Sequence, residues 1–296
     1  MQTEAIARRF DRRMISRLSL TVLALLAVGC AHREKQPAAA LPVAVAPKAP
    51  KPAAAPENVA NAPKPVMDPR ALDRLKRMSE TLAAAKSFTF RSRSSTEVPA
   101  TTGQNLTLFA HADVALERPN KLRANVTGDV PHFQLIYDGS NVSALDPDKN
   151  LYAVTDAPGT IDETLKFLME KSGIHFPSSD VMFSDPYAVM GKDLNSAFVV
   201  GPSQIDGFPC DHLAFMGPGI NWEIWIDSGK NALPRRMAVT YKEVTNFPRF
   251  LLEFSDWNLK PKLAAGTFVF KKPAHARQIE FAPRVEAEVQ RLEAPK

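Results

Sequence analysis

Cysteine is almost absent from these 296 residues: Cys30 and Cys210 are the whole supply, so a disulfide-stapled scaffold is excluded and one bridge is the most the chain could form. Segment 18–29, LSLTVLALLAVG, is too short to cross a bilayer. No HExxH, GxSxG, Walker or glycine-rich dinucleotide motif occurs, which removes the strong signatures of metal-dependent, serine and nucleotide chemistry. A usable excess of positive charge is also missing. The formal charge is +5, but Arg8, Arg9, Arg12, Arg13 and Arg17 all precede Cys30, opposed only by Glu4 and Asp11. Residues 30–296 hold 32 basic and 30 acidic side chains. A near-neutral domain without a basic run has no electrostatic means of holding a polyanion, so nucleic acid is not expected as a partner.

What the chain does have begins at its N-terminus. Arginines, a short apolar run and small residues follow one another as in a cleaved export signal. Ala27-Val28-Gly29-Cys30 resembles a bacterial lipobox, which makes residues 1–29 a lipoprotein signal peptide and Cys30 the site of lipid attachment. Alanine stands at 27, where leucine is commoner in that pattern. Met14 opens a complete signal of this kind by itself. Residue 31 is Ala rather than Asp, which by the same resemblance implies the outer membrane, on its periplasmic face. Residues 30–67 then read as a Pro/Ala-rich flexible tether, with eight of the chain's 25 prolines between 31 and 67. In a polyproline-type conformation these 37 residues reach roughly 115 Å.

From residue 68 the pattern becomes periodic. Asp68-Pro69 is a helix start, and Leu72, Leu75, Met78 and Leu82 share a stripe, predicting a helix over 69–86. Phe88 and Phe90, then Leu106 to Leu116 in steps of two, then Leu122, Ala124 and Val126, alternate as half-buried strands. Asp138-Gly139 and Asp146-Pro147 are turns within a meander over 133–154. IDETLKFLMEKSG and SDPYAVMGKDL are helical, and strands resume through FVVGPSQIDGFPCDHLAFMG, NWEIWIDSG, RRMAVTYKEV, PRFLLEFSDWNL and TFVFKKP. The order is α+β: a curled antiparallel sheet whose concave face the helices cover. A charged tail occupies 284–296.

SFTFRSR, LERPNKLR, YDGSNVSALDPDKNLYAV and TFVFKKP, in this order after a helix, resemble the LolA/LolB-like superfamily of lipoprotein carriers. RPNKLRA, PSSDVMFSDPYAV, DGFPCDHLAF and LPRRMAVTYKE are similar, within it, to a family of predicted periplasmic proteins, over roughly residues 68–283. The resemblance implies an incomplete β-barrel with a helical lid that holds acyl chains, so a lipid or acylated polypeptide is the expected partner. It also implies that Arg118, ahead of Pro119 and Asn120, ties barrel to lid as a gating residue. Anchoring through Cys30 matches the receptor of that superfamily rather than its soluble carrier.

Candidate cavity-lining residues are Phe88, Phe90, Leu108, Leu135, Trp222, Ile224, Leu252 and Phe254, each also readable as plain core. No catalytic residue, cofactor or metal site is expected. Cys210 with His212, and His111 with Asp113, are two-residue pairs that fall short of a metal site, and Cys210 reads as a small buried residue. Arg235 and Arg236 read as a solvated strand with cross-strand ion pairs, and Trp222 and Trp225 as lying on opposite strand faces. The alternative to ligand binding is a filled core that acts through protein contacts.

Overall fold

The computed structural model describes residues 66–281, except 101, 130–131 and 173–177. The expected signal peptide, Cys30, the expected tether up to residue 65 and the tail 284–296 lie outside the described residues.

The elements are α1 (Pro69–Ala84), β1 (Ser87–Pro99), β2 (Asn105–Glu117), β3 (Lys121–Gly128), β4 (Phe133–Tyr137), β5 (Asn141–Asp146) and β6 (Leu151–Asp156). After them come α2 (Ile161–Ser172), a 3-10 turn (Ser179–Val181), α3 (Pro186–Met190), β7 (Ser196–Ile205), β8 (Phe208–Gly217) and β9 (Ile220–Asp227). β10 (Pro234–Tyr241), β11 (Arg249–Asn258) and β12 (Arg277–Gln278) complete the series. All twelve strands form one sheet in the order β12-β6-β5-β4-β3-β2-β1-β11-β10-β9-β8-β7. It is curled, unclosed and antiparallel except for the short β12–β6 pair. Two antiparallel meanders, β1–β6 and β7–β11, join where β1 pairs with β11.

Local chemistry accounts for the helices. The Asp68 carboxylate caps α1 by accepting from the Arg70 N–H at 2.9 Å, with Pro69 preset for the first turn. Ala71, Leu75, Met78 and Leu82 are its fully buried stripe, and Leu72 only flanks them. The helix ends at Ala84 rather than 86, because extended Ala85 turns the chain into β1. In α2, the Thr160 hydroxyl caps the first turn by accepting from the Glu163 N–H and donates to the Glu163 carboxylate, and Ile161, Leu165 and Leu168 face the sheet.

TFVFKKP is not a strand. Residues 259–276 cross the outer face of β3–β6 as a strap, in which Phe268 is buried, Phe270 packs on Tyr152, and Arg123 donates to the Thr267 carbonyl at 3.1 Å. Alternate burial of aromatics reports one-sided packing, which a segment lying across strands achieves without a ladder. The free edge of β7 is blunted: Met67 bridges Ala197, a bulge separates Val199 from Gly201, and Pro202 carries no donor.

Arg235 is not a solvated residue. It lies in the bulge between Pro234 and Arg236, 8% exposed, paired with Asp227 at 2.7 Å and stacked on the Phe208 ring at 3.5 Å. The bulge adds one residue to the strand and so turns that side chain away from the face that simple alternation assigns it. Arg236 does pair across strands, with Glu253 at 2.5 Å.

Candidate ligand-binding face and lid

One hydrophobic cluster fills the space between the concave face and the helices. Phe88, Phe90, Leu135, Trp222, Ile224, Leu252 and Phe254 are all buried in it. Leu108 is half-buried, farther along β2. Trp257 belongs with the first group although parity assigns it to the other face. Asp256, at φ 53°, forms a bulge opposite β1, and this turns Trp257 inward to lie 4.6 Å from the Phe90 ring and 5.7 Å from Phe88. Sequence alternation gave no sign of it.

Burial along the concave side of β2 falls in one direction. Leu116 is 0% exposed and Val114 4%; Ala112, Ala110 and Leu108 are half-buried, and Leu106 is 41% exposed. The opposing β1 residues are Phe88, Phe90, Ser92, Ser94 and Thr96. Large rings therefore close the end beneath the helices, whereas the β2 side of the face stays accessible from Ala112 to Leu106, with Val98 and Phe250 buried beside it on β1 and β11. At about 3.4 Å per residue, Ala112 to Leu106 is roughly 20 Å of strip.

Arg118 sits at the closed end, just past β2. Its guanidinium donates to the Met182 carbonyl at 3.1 Å and the Phe183 carbonyl at 2.8 Å, both in the segment joining α2 to α3. Burial depresses its basicity, which the Asp162 carboxylate partly restores. Nε has no hydrogen-bond partner. Asp162 in turn accepts from Ser184 N–H at 2.9 Å and Ser184 hydroxyl at 2.5 Å, and Ile161 N–H donates to the Pro119 carbonyl at 2.9 Å. The lid is thus joined to the sheet by a small polar hinge and by apolar contact. Asp162 was missed in the sequence, where it reads as ordinary first-turn acidity.

Tyr241, on β10, is a second polar group in this interior. Burial, reinforced by the Asp180 carboxylate of the 3-10 turn, pushes its phenol up to about 12. Because the folded value exceeds the ordinary value near 10, the neutral phenol's contribution to stability is whole below pH 10 and is lost as pH rises toward 12. Melting temperature measured from pH 9 to 12 should therefore fall more steeply for the native chain than for Tyr241→Phe; parallel curves would refute this.

The other candidates disperse. Cys210 is buried, and burial together with Asp227 pushes its thiol up, away from reactivity. His212 stacks on Trp225 at 4.0 Å and contacts Glu223 at 2.8 Å. Asp113 pairs with Arg91 at 2.9 Å, and His111 is exposed. Trp222 stacks on Phe215 in the core, opposite the face of Trp225. Among the described residues no group of three or more His, Cys, Asp or Glu could hold a metal ion.

No curated protein matches the chain. Among solved structures, it is similar to lipoprotein LppX of Mycobacterium tuberculosis, at 15% identity and TM-score 0.43, covering 67% of this chain and 100% of that one. A conserved protein of Thermus thermophilus aligns at 10% identity and TM-score 0.42, covering 71% and 99%. A LolA-superfamily protein of Nitrosomonas europaea aligns at 11% and 0.32, covering 68% and 97%. The model of the family described as predicted periplasmic protein, DUF2092, matches residues 71–282, and this chain belongs to that family.

Proposed function

We propose that the domain is a non-catalytic binding module for a lipid or an acylated polypeptide, held by Cys30 and its tether at the periplasmic face of the outer membrane, and serving envelope biogenesis or sensing. The observation that carries this reading is the concave face of β2, whose side chains are apolar from the core under the lid to the accessible end at Leu106, bordered on β1 by the short side chains of Ser92, Ser94 and Thr96. An acyl chain laid along it gains about 0.8 kcal/mol per buried methylene. Arg118 acts as the gate. A lid held through carbonyl acceptors and apolar contacts can exchange those contacts for a ligand's, whereas one welded by paired charges could not do so cheaply.

The test is lipid extraction and native mass spectrometry on the full chain recovered from its membrane, compared with Ala110→Phe. Ala110 faces Ser94 on one side and Gly128 on the other, so a ring there fills the strip outside the packed core. A stoichiometric lipid beyond any anchor, lost at least tenfold in the variant, is the expected result. One specific feature favours the alternative: seven of the eight candidate lining side chains are already packed in the core. A protein that carries no lipid and refuses added fatty acids and lipopeptides would make contact with another protein the better reading.

A further inference from the structure

The outer face of the sheet carries a second feature, unrelated to the lid. Where β11, β1, β2 and β3 lie side by side, a trough of about 500 Å³ opens to solvent, lined by Thr89, Arg91, Asp113, Ala115, Arg123, Asn125 and Asp256. Its floor is low because Thr89 and Ala115, which pair across β1 and β2, are short. Its walls are raised by the Asp256 bulge on one side and by the C-terminal strap, bonded through Arg123, on the other.

The charges in it are divided unequally. Arg91 is 68% exposed and bridges Asp113 at 2.9 Å and Asp256 at 3.3 Å. Among the described residues Arg123 has no carboxylate partner: one N–H goes to the Thr267 carbonyl, and a guanidinium has five. Arg93, next on the same face of β1, is exposed. The trough therefore has at its strap side a cation without a carboxylate partner among the described residues, with Asp113 one strand from it along the side and Asp256 three strands, roughly 14 Å, across, each carboxylate with spare lone pairs.

We propose that this trough binds a small zwitterionic group, with its phosphate or carboxylate on Arg123 and its ammonium on the lone pairs that Arg91 leaves free on Asp113 and Asp256. Its volume lies in the range of small-molecule sites, larger than a bare ion needs. Bidentate geometry and permanent charge suit arginine to the acidic end. Asn125 and Thr89 supply hydrogen bonds between the two ends.

The probe is phosphoethanolamine, titrated into the ¹⁵N-labelled full chain while the arginine side-chain N–H signals are followed, with inorganic phosphate and ethanolamine as half-ligands. Saturable shifts at Arg123 and Arg91, at least tenfold tighter than for either half, are expected. Arg123→Gln should weaken binding tenfold or more. Because that change also touches the strap, Asn125→Asp is the control. It keeps the oxygen that accepts from Gln134 at 2.8 Å and leaves the Arg123–Thr267 strap contact in place while setting a negative charge against the anion, so it should weaken binding comparably. Absence of saturable shifts, equal affinity for inorganic phosphate, or full affinity in Asn125→Asp would each overturn the proposal. Co-sedimentation with phosphatidylethanolamine vesicles, competed by the soluble probe, would assign the group to a lipid headgroup. A soluble probe that binds while the vesicles do not would assign it to a free metabolite.

Discussion

Replacing Phe90 with alanine should destabilise the domain by about 3–5 kcal/mol, the range for a large aromatic removed from a close-packed core. Phe90 lies 4.6 Å from Trp257, 5.6 Å from Phe254 and 6.2 Å from Phe88, ring to ring. It stands where β1 pairs with β2 on one side and β11 on the other, the seam between the two meanders. No neighbour can fill the vacated volume without leaving its own rotamer, since Phe88 and Phe254 are themselves held by Trp257. Urea denaturation followed by tryptophan fluorescence measures it, and the Trp257 signal should report the cavity directly. A loss below about 1 kcal/mol would mean that the seam repacks.

Arg118→Leu should leave the sheet folded and loosen the lid. The variant removes two hydrogen bonds and leaves the Met182 and Phe183 carbonyls in a partly buried site without their donor, a penalty of about 1–3 kcal/mol. Loss of a buried cation offsets part of it. What remains falls on the hinge alone, so amide exchange should speed up in α2 and the 3-10 turn while β1, β2 and β11 keep their protection. Acyl-ligand release, measured with a fluorescent fatty acid, should quicken roughly tenfold for each 1.4 kcal/mol lost by the closed state. Arg118→Lys should fall between, because an ammonium is a point donor that cannot span both carbonyls. Uniform loss of protection across the sheet, with release unchanged, would make Arg118 a stability residue rather than a gate.

Much of the fold was legible because its causes are local. Asp68-Pro69 and Asp185-Pro186 start helices by capping chemistry that acts within three residues. The Asp138 carboxylate, accepting from the N–H groups of Ser140 and Asn141, makes its turn beside Gly139 at φ 104° in the same way. Alternation placed Phe88, Phe90, Trp222, Ile224, Leu252 and Phe254 on one face because a strand's side-chain period is fixed at two. The misreadings occurred where that period breaks or stops implying a ladder. Bulges at Asp256 and Arg235 insert a residue and reverse the facing, and the strap containing Phe268 and Phe270 has the rhythm of a strand without its pairing.

The amino-acid order by itself determined the helix starts at Asp68-Pro69 and Asp185-Pro186, the apolar face of the strands that carry Phe88, Leu116, Trp222 and Phe254, and the absence of catalytic signatures. Only the tertiary structure decided that Arg118 meets the carbonyls of Met182 and Phe183, 64 and 65 positions away, that Asp162 holds Ser184, and that Arg91, Arg123 and Asp256 share one trough. Caps and periodicity act over a few residues, whereas a gate or a charge-lined trough depends on which strands become neighbours, and that is fixed when the whole sheet curls onto its helices.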